Sequence, residues 1–204
     1  LIEQALIAPG DRVVVITPLW PNLVEGPKIL GAHVATVALD FTPEGWQLDL
    51  GRLLAALTPD TRALILNSPN NPTGWTLTRD EQVAILAKCR EHGIWLLADD
   101  AYERLVFDGT GCAPSFFDIS DANDRLVSAS TFSKSWLMTG WRLGWLVAPA
   151  PFIEQLGKVI EYNTSCSPVF IQRAGDAAIK HGDAIIARTQ ARFGAARDHL
   201  CNAL

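Results

Sequence analysis

A lysine set among hydroxyl side chains is the feature of this sequence with the clearest chemical potential. In the stretch STFSKSWLMTGWRLGW, residues 130–145, hydroxyl side chains flank Lys134, and Arg142 follows a short distance later. A lysine amine can serve as a nucleophile or a base, and the planar guanidinium of arginine suits a phosphate group. Taken singly, a lysine after a strand is usually solvated and an arginine usually forms an ion pair, so this stretch alone leaves the function open.

Three further polar segments have ordinary structural explanations as well. The segment NSPNNPTG, residues 67–74, is rich in turn-forming residues and is typical of a simple turn. The segment DDAYERL begins with Asp99 and Asp100, and acidic residues at this kind of position commonly cap helices or face solvent. The segment TPLWPN contains Trp20, and a tryptophan usually belongs to the core. Each pattern is weak by itself.

Apolar runs alternate with longer helical patterns along the chain. The runs predict strands at residues 12–17, 33–39, 62–68, 94–99, 125–130 and 142–148. Helices are predicted at residues 49–57, 78–93, 151–161, 168–181 and 183–204, and at 22–32 with an interruption at Gly26–Pro27, while residues 42–49 are predicted to form a loop.

This alternation indicates an α/β protein with three layers, α/β/α, around a mostly parallel mixed sheet. Continuous apolar strands separated by helices are typical of a sheet that is covered on both faces. Ligands of such sheets bind outside the carboxyl ends of the strands. Because all four polar segments follow predicted strands, we expect them to meet at one edge of the sheet.

Composition excludes several classes of partner. The formal net charge of -5 over 204 residues gives no basic surface for nucleic acid, and it disfavours binding to an anionic membrane. No segment is apolar for long enough to cross a bilayer. The cysteines lack metal-ligand spacing, so we predict no metal site and interpret them as reduced thiols of a cytoplasmic protein, at Cys89, Cys112, Cys166 and Cys201.

Considered together, three motifs resemble those of the class I/II aminotransferases, which are pyridoxal-phosphate enzymes of fold type I. The motifs are NNPTG at residues 70–74, D-x-A-Y at Asp99–Tyr102, and STFSK followed by GWRLG within residues 130–144. They occur in the family's order, and the resemblance runs from Leu1 to about Ile179. It implies that residues 1–180 are part of the cofactor-binding large domain and that residues 181–204 are a helix leading toward a C-terminal small domain.

The resemblance also implies a role for each polar segment. Lys134 would hold the cofactor aldehyde covalently and act as the catalytic base, and Asp99 would pair with the pyridine nitrogen. Tyr102 and Asn71 would donate to the ring oxygen, and Trp20 would stack on the ring. The cofactor phosphate would be bound by Thr131, Ser133 and Arg142, with close backbone approach at Gly140 and Gly144.

By the same resemblance, the expected function is transfer of an amino group between an amino acid and a 2-oxo acid, in a protein that is a homodimer at full length. Related alternatives are a pyridoxal-phosphate C–S β-lyase, an alkyl-transfer synthase, and the cofactor-sensing domain of a transcription regulator. A Rossmann-type dinucleotide protein is disfavoured, since no Gly-x-Gly-x-x-Gly follows the first strand. The family's glycine-rich phosphate loop and its carboxylate-binding arginine have no match here, so we expect a fragment.

Overall fold

A mixed six-stranded sheet forms the centre of the computed structural model, which describes all of residues 1–204. The strands lie in the order β2-β1-β5-β6-β7-β8. They are β1 (Arg12–Thr17), β2 (His33–Ala38), β5 (Thr61–Asn67), β6 (Trp95–Asp99), β7 (Leu126–Thr131) and β8 (Gly144–Val147). Every pairing is parallel except that of β8, which runs antiparallel to β7. The α/β fold with a mostly parallel mixed sheet is therefore confirmed.

Eight helices accompany the sheet. They are α1 (Ile2–Leu6), α2 (Asn22–Ile29), α3 (Leu50–Ala56), α4 (Arg79–His92), α5 (Phe132–Ser135), α6 (Ala150–Asn163), α7 (Val169–His181) and α8 (Asp183–Ala203). None of them combines the length and the apolar character that a membrane crossing needs. No three His, Cys, Asp or Glu side chains are grouped so that they could hold a metal ion.

The two faces of the sheet carry separate apolar cores, because successive side chains of a strand point to opposite faces. On one face Leu64 and Leu66 of β5 belong to a core with Leu53 of α3 and Ile85 of α4. On the other face, the strand residues that alternate with these pack against Leu6 of α1 and against Phe152 and Leu156 of α6. These strand residues are Val13, Val15, Ala63, Ile65, Leu97 and Val127. Helices thus cover both faces, as the continuous apolar strands predict.

A third, smaller cluster connects the last helix to the segment that carries Lys134. Ile186 of α8 is buried against Phe132 and Trp136, which flank the lysine in the sequence. The first half of α8 therefore packs on the same body as the sheet.

Two details of the secondary structure differ from the sequence prediction. The predicted interruption at Gly26–Pro27 is wrong, since α2 runs unbroken from Asn22 to Ile29 with Pro27 inside it. Proline removes only its own donor, and the bonds from Leu30 N to Gly26 O and from Ala32 N to Pro27 O persist. The proline itself is buried.

The predicted loop at residues 42–49 contains half of a small hairpin. Strand β3 (Asp40–Thr42) pairs antiparallel with β4 (Gly45–Gln47), and Phe41 lies directly opposite Trp46. Their ring centroids are 5.1 Å apart. An aromatic cross-strand pair of this kind stabilises a short hairpin, and Gly45 supplies the positive φ of 110° that the tight turn requires.

Helix α4 shows how closely a local sequence signal can define an element. Thr78 and Glu81 form a reciprocal capping box, in which Thr78 Oγ1 accepts from Glu81 N at 3.3 Å and Glu81 Oε2 accepts from Thr78 N at 2.7 Å. At the other end Gly93 adopts the left-handed conformation, with φ 65°. Both boundaries agree with the sequence prediction.

Thr78→Ala is expected to lower the free energy of unfolding by about 1 kcal/mol, because it leaves the first-turn amide of α4 without its acceptor. Urea unfolding followed by circular dichroism measures this loss. Thr164→Ala is the control, since Thr164 is exposed and its hydroxyl makes no hydrogen bond. Equal stability of the two variants would contradict the assigned cap.

Candidate active site

The predicted site residues meet at the carboxyl edge of the sheet. Trp20 follows β1, Asn71 follows β5, and Asp99 ends β6. Lys134 follows β7 within α5, which begins directly after Thr131. Strands β1 and β5 are neighbours, but the chain leads from β1 to β2 on one side and from β5 to β6 on the other. Ligands of open α/β sheets bind where the strand order reverses in this way.

Arg142 reaches the same edge because β8 runs in the opposite direction. Gly144, the first residue of β8, pairs with Thr131, the last residue of β7. The segment before β8, which contains Arg142, therefore lies beside the segment after β7, which contains Lys134. The antiparallel strand, which the sequence does not reveal, is what brings Arg142 back to the segment of Lys134.

A buried asparagine that we did not predict as a site residue connects two of the segments. Asn67 Nδ2 donates to the backbone oxygen of Asp99 at 2.9 Å, and Asn67 Oδ1 accepts from the backbone amide of Asn71 at 2.7 Å. Only 1% of Asn67 is exposed. One side chain therefore fixes the positions of Asn71 and Asp99. Its place at the start of the turn-rich segment NSPNNPTG was the available signal.

Tyr102, Asn71 and Lys134, all predicted for the site, lie close together. Asn71 Nδ2 donates to the Tyr102 hydroxyl at 3.4 Å, which is a long hydrogen bond. Lys134 Nζ lies 5.5 Å from the centroid of the Tyr102 ring, within the range of a cation–π contact. Tyr102 thus lies between the other two side chains.

Asp99 lines a cavity of about 290 Å³. Asp99 shares the wall of this cavity with Ser130 and Thr131, with the strand residues Ile65, Leu97 and Val127, and with residues 1–3 at the start of the chain. Burial raises the pKa of Asp99, while the Ala101 amide and the positive charge of Lys134 act to lower it. The distance from Ala101 N to Asp99 Oδ1 is 3.1 Å. Asp99 and Lys134 therefore interact electrostatically across the site.

Thr131 organises the turn that carries the lysine. Its Oγ1 accepts from Ser133 N at 3.1 Å, which caps α5, and donates to Leu143 O at 3.3 Å. Below the turn Phe132, Trp136 and Trp145 form a cluster of rings with centroids 4.9 to 6.0 Å apart. Trp136 Nε1 also donates to Ala178 O of α7 at 3.0 Å. Lys134 is thus flanked by two well-anchored aromatic residues.

The sequence prediction that a strand begins at Arg142 is wrong. The strand begins at Gly144, and Arg142 lies before it in the left-handed region with φ 50°. A side chain in this conformation costs about 1–2 kcal/mol, and such strain is often found at functional positions. The guanidinium donates from Nη1 to Thr139 O at 2.7 Å and to Ser133 Oγ at 3.5 Å. This geometry places a cation beside the Ser133 hydroxyl of the lysine turn.

The two glycines of the motif have different surroundings. A Cβ on Gly144 would lie 2.5 Å from Ser130 O, so the pairing of β8 with β7 leaves no room for a side chain at this position. A Cβ on Gly140 would meet nothing within 4 Å. The approach of both glycines to a phosphate group stays a prediction.

Gly144→Ala is expected to lower the free energy of unfolding by about 1–3 kcal/mol, because the added methyl group must push β8 away from β7. Gly140→Ala is the matched control, with no contact to disturb. Thermal unfolding of both variants measures the difference. A Gly144→Ala variant as stable as its control would contradict the tight pairing of these strands.

Trp20 is the predicted site residue that the structure leaves apart from the others. It is 51% exposed, and it forms no hydrogen bond or ring contact with Asn71, Asp99, Tyr102 or Lys134. Its backbone oxygen accepts from Leu23 N at the start of α2. Trp20 therefore follows β1 at the carboxyl edge of the sheet, with about half of its surface exposed.

The fold and the site define an α/β domain whose cationic, acidic and hydroxyl groups meet at the carboxyl edge of a parallel sheet. The model of the family described as aminotransferase class I and II matches residues 1–204, and the chain belongs to this family.

Individual relatives and solved structures agree with this membership. The chain is 36% identical to an aspartate aminotransferase of Musicola paradisiaca, over 86% of this chain and 44% of the relative. It is 35% identical to an arginine–pyruvate transaminase of Pseudomonas aeruginosa, over 88% and 45%. The structure of N-succinyldiaminopimelate aminotransferase from Mycobacterium tuberculosis matches with a TM-score of 0.90 and 32% identity, over 98% of this chain and 52% of that one. The chain thus spans about half the length of these relatives.

Proposed function

We propose that the protein to which this chain belongs is a pyridoxal-phosphate-dependent aminotransferase that moves an amino group between an amino acid and a 2-oxo acid. The observation that carries this proposal is the grouping of Lys134 with Tyr102, Asn71 and Asp99 at one edge of the sheet. Membership in the class I and II family supports it, and so do the relatives, which are named as aminotransferases.

The donors present fit pyridoxal phosphate. The site offers one primary amine for the aldehyde, one carboxyl for the ring nitrogen, and a phenol with an amide for the ring oxygen. It also offers a guanidinium beside two hydroxyls for the phosphate. When bound, the cofactor supplies an electron-withdrawing ring that makes the substrate Cα proton acidic.

Lys134 and Asp99 have the catalytic roles in this proposal. Lys134 Nζ would hold the cofactor aldehyde before substrate binds, and the same amine, once freed by the substrate amine, would be the base that moves the proton at the substrate Cα. The Asp99 carboxylate holds a proton on the pyridine nitrogen by charge pairing. Asn67 binds the Asp99 backbone oxygen, and the Ala101 amide donates to Oδ1 of the Asp99 carboxyl.

The remaining residues bind and orient the cofactor. Tyr102 and Asn71, already in contact with each other, donate to the ring oxygen. Arg142 and the hydroxyls of Thr131 and Ser133 bind the phosphate. Trp20, whose side chain is half exposed at this edge, would stack on the ring.

Product analysis on the full-length protein tests the reaction type. Incubation with an amino acid and 2-oxoglutarate is expected to yield glutamate. Release of pyruvate and ammonia from cystathionine, without glutamate formation, would contradict this proposal and support the C–S β-lyase.

We also propose that the full-length protein is a cytoplasmic homodimer. The spacing of its cysteines supports reduced thiols, and Cys89, Cys112, Cys166 and Cys201 are all free in the structure. Light scattering of the full-length protein is expected to give twice the monomer mass. A monomer that retains full turnover would contradict the dimer.

A further inference from the structure

Two short segments of the site are paired through two similar contacts. In the first contact, Lys134 Nζ lies over the ring of Tyr102, 5.5 Å from its centroid. Two residues further along each segment the cation and the ring are exchanged, since Arg104 Cζ lies over the ring of Trp136, 5.8 Å from its centroid. Both distances are within the range of cation–π contacts. Residues 102–104 and 134–136 are therefore held together at two points, and only the first of them has a role in the proposed function.

Trp136 is the fixed member of the second contact. It is 7% exposed, and its Nε1 donates to Ala178 O of α7 at 3.0 Å. A Cβ added to Gly182, between α7 and α8, would lie 2.5 Å from Trp136 Nε1, so the indole fills the space at this junction. Ile186 of α8 packs against it as well. The ring that lies beneath Arg104 therefore has little freedom to move.

Arg104 is bound to α8 through its backbone. Gln190 Nε2 donates to Arg104 O at 2.7 Å and to Gly111 O at 3.2 Å. Arg104 Nη2 also forms an ion pair with Asp183 at 3.2 Å, but the side chain of Asp183 is 81% exposed, and exposed pairs contribute little to stability. The bond from Gln190 and the ring of Trp136 therefore do most to fix the place of Arg104.

A tight turn connects Arg104 to Tyr102. Leu105 N donates to Tyr102 O at 2.8 Å, and Glu103 N donates to Asp100 O at 3.0 Å. These bonds hold the backbone of residues 100–105 in one turn, so its residues do not move independently. The place of Arg104 therefore constrains the place of the Tyr102 ring.

We propose that Arg104 is a positioning residue that holds the ring of Tyr102 against the amine of Lys134 through its own contact with Trp136. This inference rests on the proposed function for the purpose of the contact between Tyr102 and Lys134. The contact itself can be measured whether or not the cofactor is bound.

Fluorine-19 NMR of the full-length protein labelled with 3-fluorotyrosine tests this proposal before any cofactor is added. The resonance of Tyr102 is identified by its loss in Tyr102→Phe, and Lys134→Met defines its position when the amine is absent. Arg104→Met removes the guanidinium and is expected to shift the Tyr102 resonance toward that position. Arg104→Lys keeps a cation on a long side chain, so it should shift the resonance less.

The control for these variants is an arginine without a contact to lose. Arg173 on α7 is exposed and forms no ion pair. Arg173→Met should leave the Tyr102 resonance at its wild-type position. The side chain of Arg104 is 35% exposed, so its variants are expected to fold, and circular dichroism verifies this. Arg104→Gln, which is also uncharged, is the second variant and should give the same shift as Arg104→Met.

Two results would overturn the proposal. The first is a Tyr102 resonance that Lys134→Met shifts but that Arg104→Met and Arg104→Gln leave at the wild-type position. The second is a Tyr102 resonance that Lys134→Met does not shift, because Arg104 would then have no contact to hold. Neither result depends on covalent loading of Lys134, so failure of this proposal is distinguishable from failure of the proposed function.

Discussion

Replacing Lys134 with alanine abolishes the visible absorbance that pyridoxal phosphate acquires when the protein binds it covalently. The expected loss is complete, because Lys134 supplies the one amine in contact with the Tyr102 ring and in electrostatic contact with Asp99. Titration of the purified full-length protein with the cofactor, followed by absorbance spectroscopy, measures the result.

The control for this variant is another lysine on a helix of the same body. Lys158 lies on α6, where its amine binds only the neighbouring Gln155 at 3.1 Å in an exposed position. Lys158→Ala should load the cofactor to the wild-type level. Normal covalent loading of Lys134→Ala would contradict the assignment of the attachment site.

Asp99→Asn is expected to keep the cofactor bound while the turnover number falls about 10²- to 10³-fold, the size of effect seen when one preorganised electrostatic partner is lost. The amide keeps the shape of the carboxyl but cannot hold a proton on the ring nitrogen by charge. Initial rates with an amino acid and 2-oxoglutarate, normalised to bound cofactor, measure the fall.

A surface aspartate serves as the reference for this second variant. Asp176 on α7 forms an exposed ion pair with Lys180, at a distance of 2.8 Å. Such pairs contribute little to stability, so Asp176→Asn should retain wild-type turnover. Full activity of Asp99→Asn would show that the ring nitrogen has a different partner.

Local patterns in the sequence were sufficient to predict most of the fold. The apolar run that becomes β5 is buried on both faces, which is why a continuous apolar stretch indicates a central parallel strand. The ends of α4 follow from Thr78, Glu81 and Gly93, whose roles depend only on neighbours within one turn. The carboxyl edge of the sheet could therefore be predicted, together with the segments that reach it.

Features that depend on distant partners could not be predicted in the same way. The hairpin of β3 and β4 depends on the contact between Phe41 and Trp46, which a turn-rich pattern conceals. The approach of Arg142 to Ser133 depends on the direction of β8, and periodicity does not reveal the direction of a strand.

Contacts between distant residues of the site could not be predicted either. Its motifs marked the segments of Asn71, Asp99 and Lys134, but not the side chains that fix them. Asn67 acts across two strands, and Ser128 binds Asp100 from the next strand. These contacts exist only after the strands have paired, so the sequence shows at most the turn-rich segment that begins at Asn67 and not the partners of either side chain.

The most direct test of the proposed function is to find the lysine that carries the cofactor. The full-length protein would be loaded with pyridoxal phosphate, reduced with borohydride, digested and analysed by mass spectrometry. We predict that the pyridoxyl label lies on Lys134 within the peptide that contains STFSK. A label on any other lysine, or the absence of a label from the loaded protein, would contradict the proposed function.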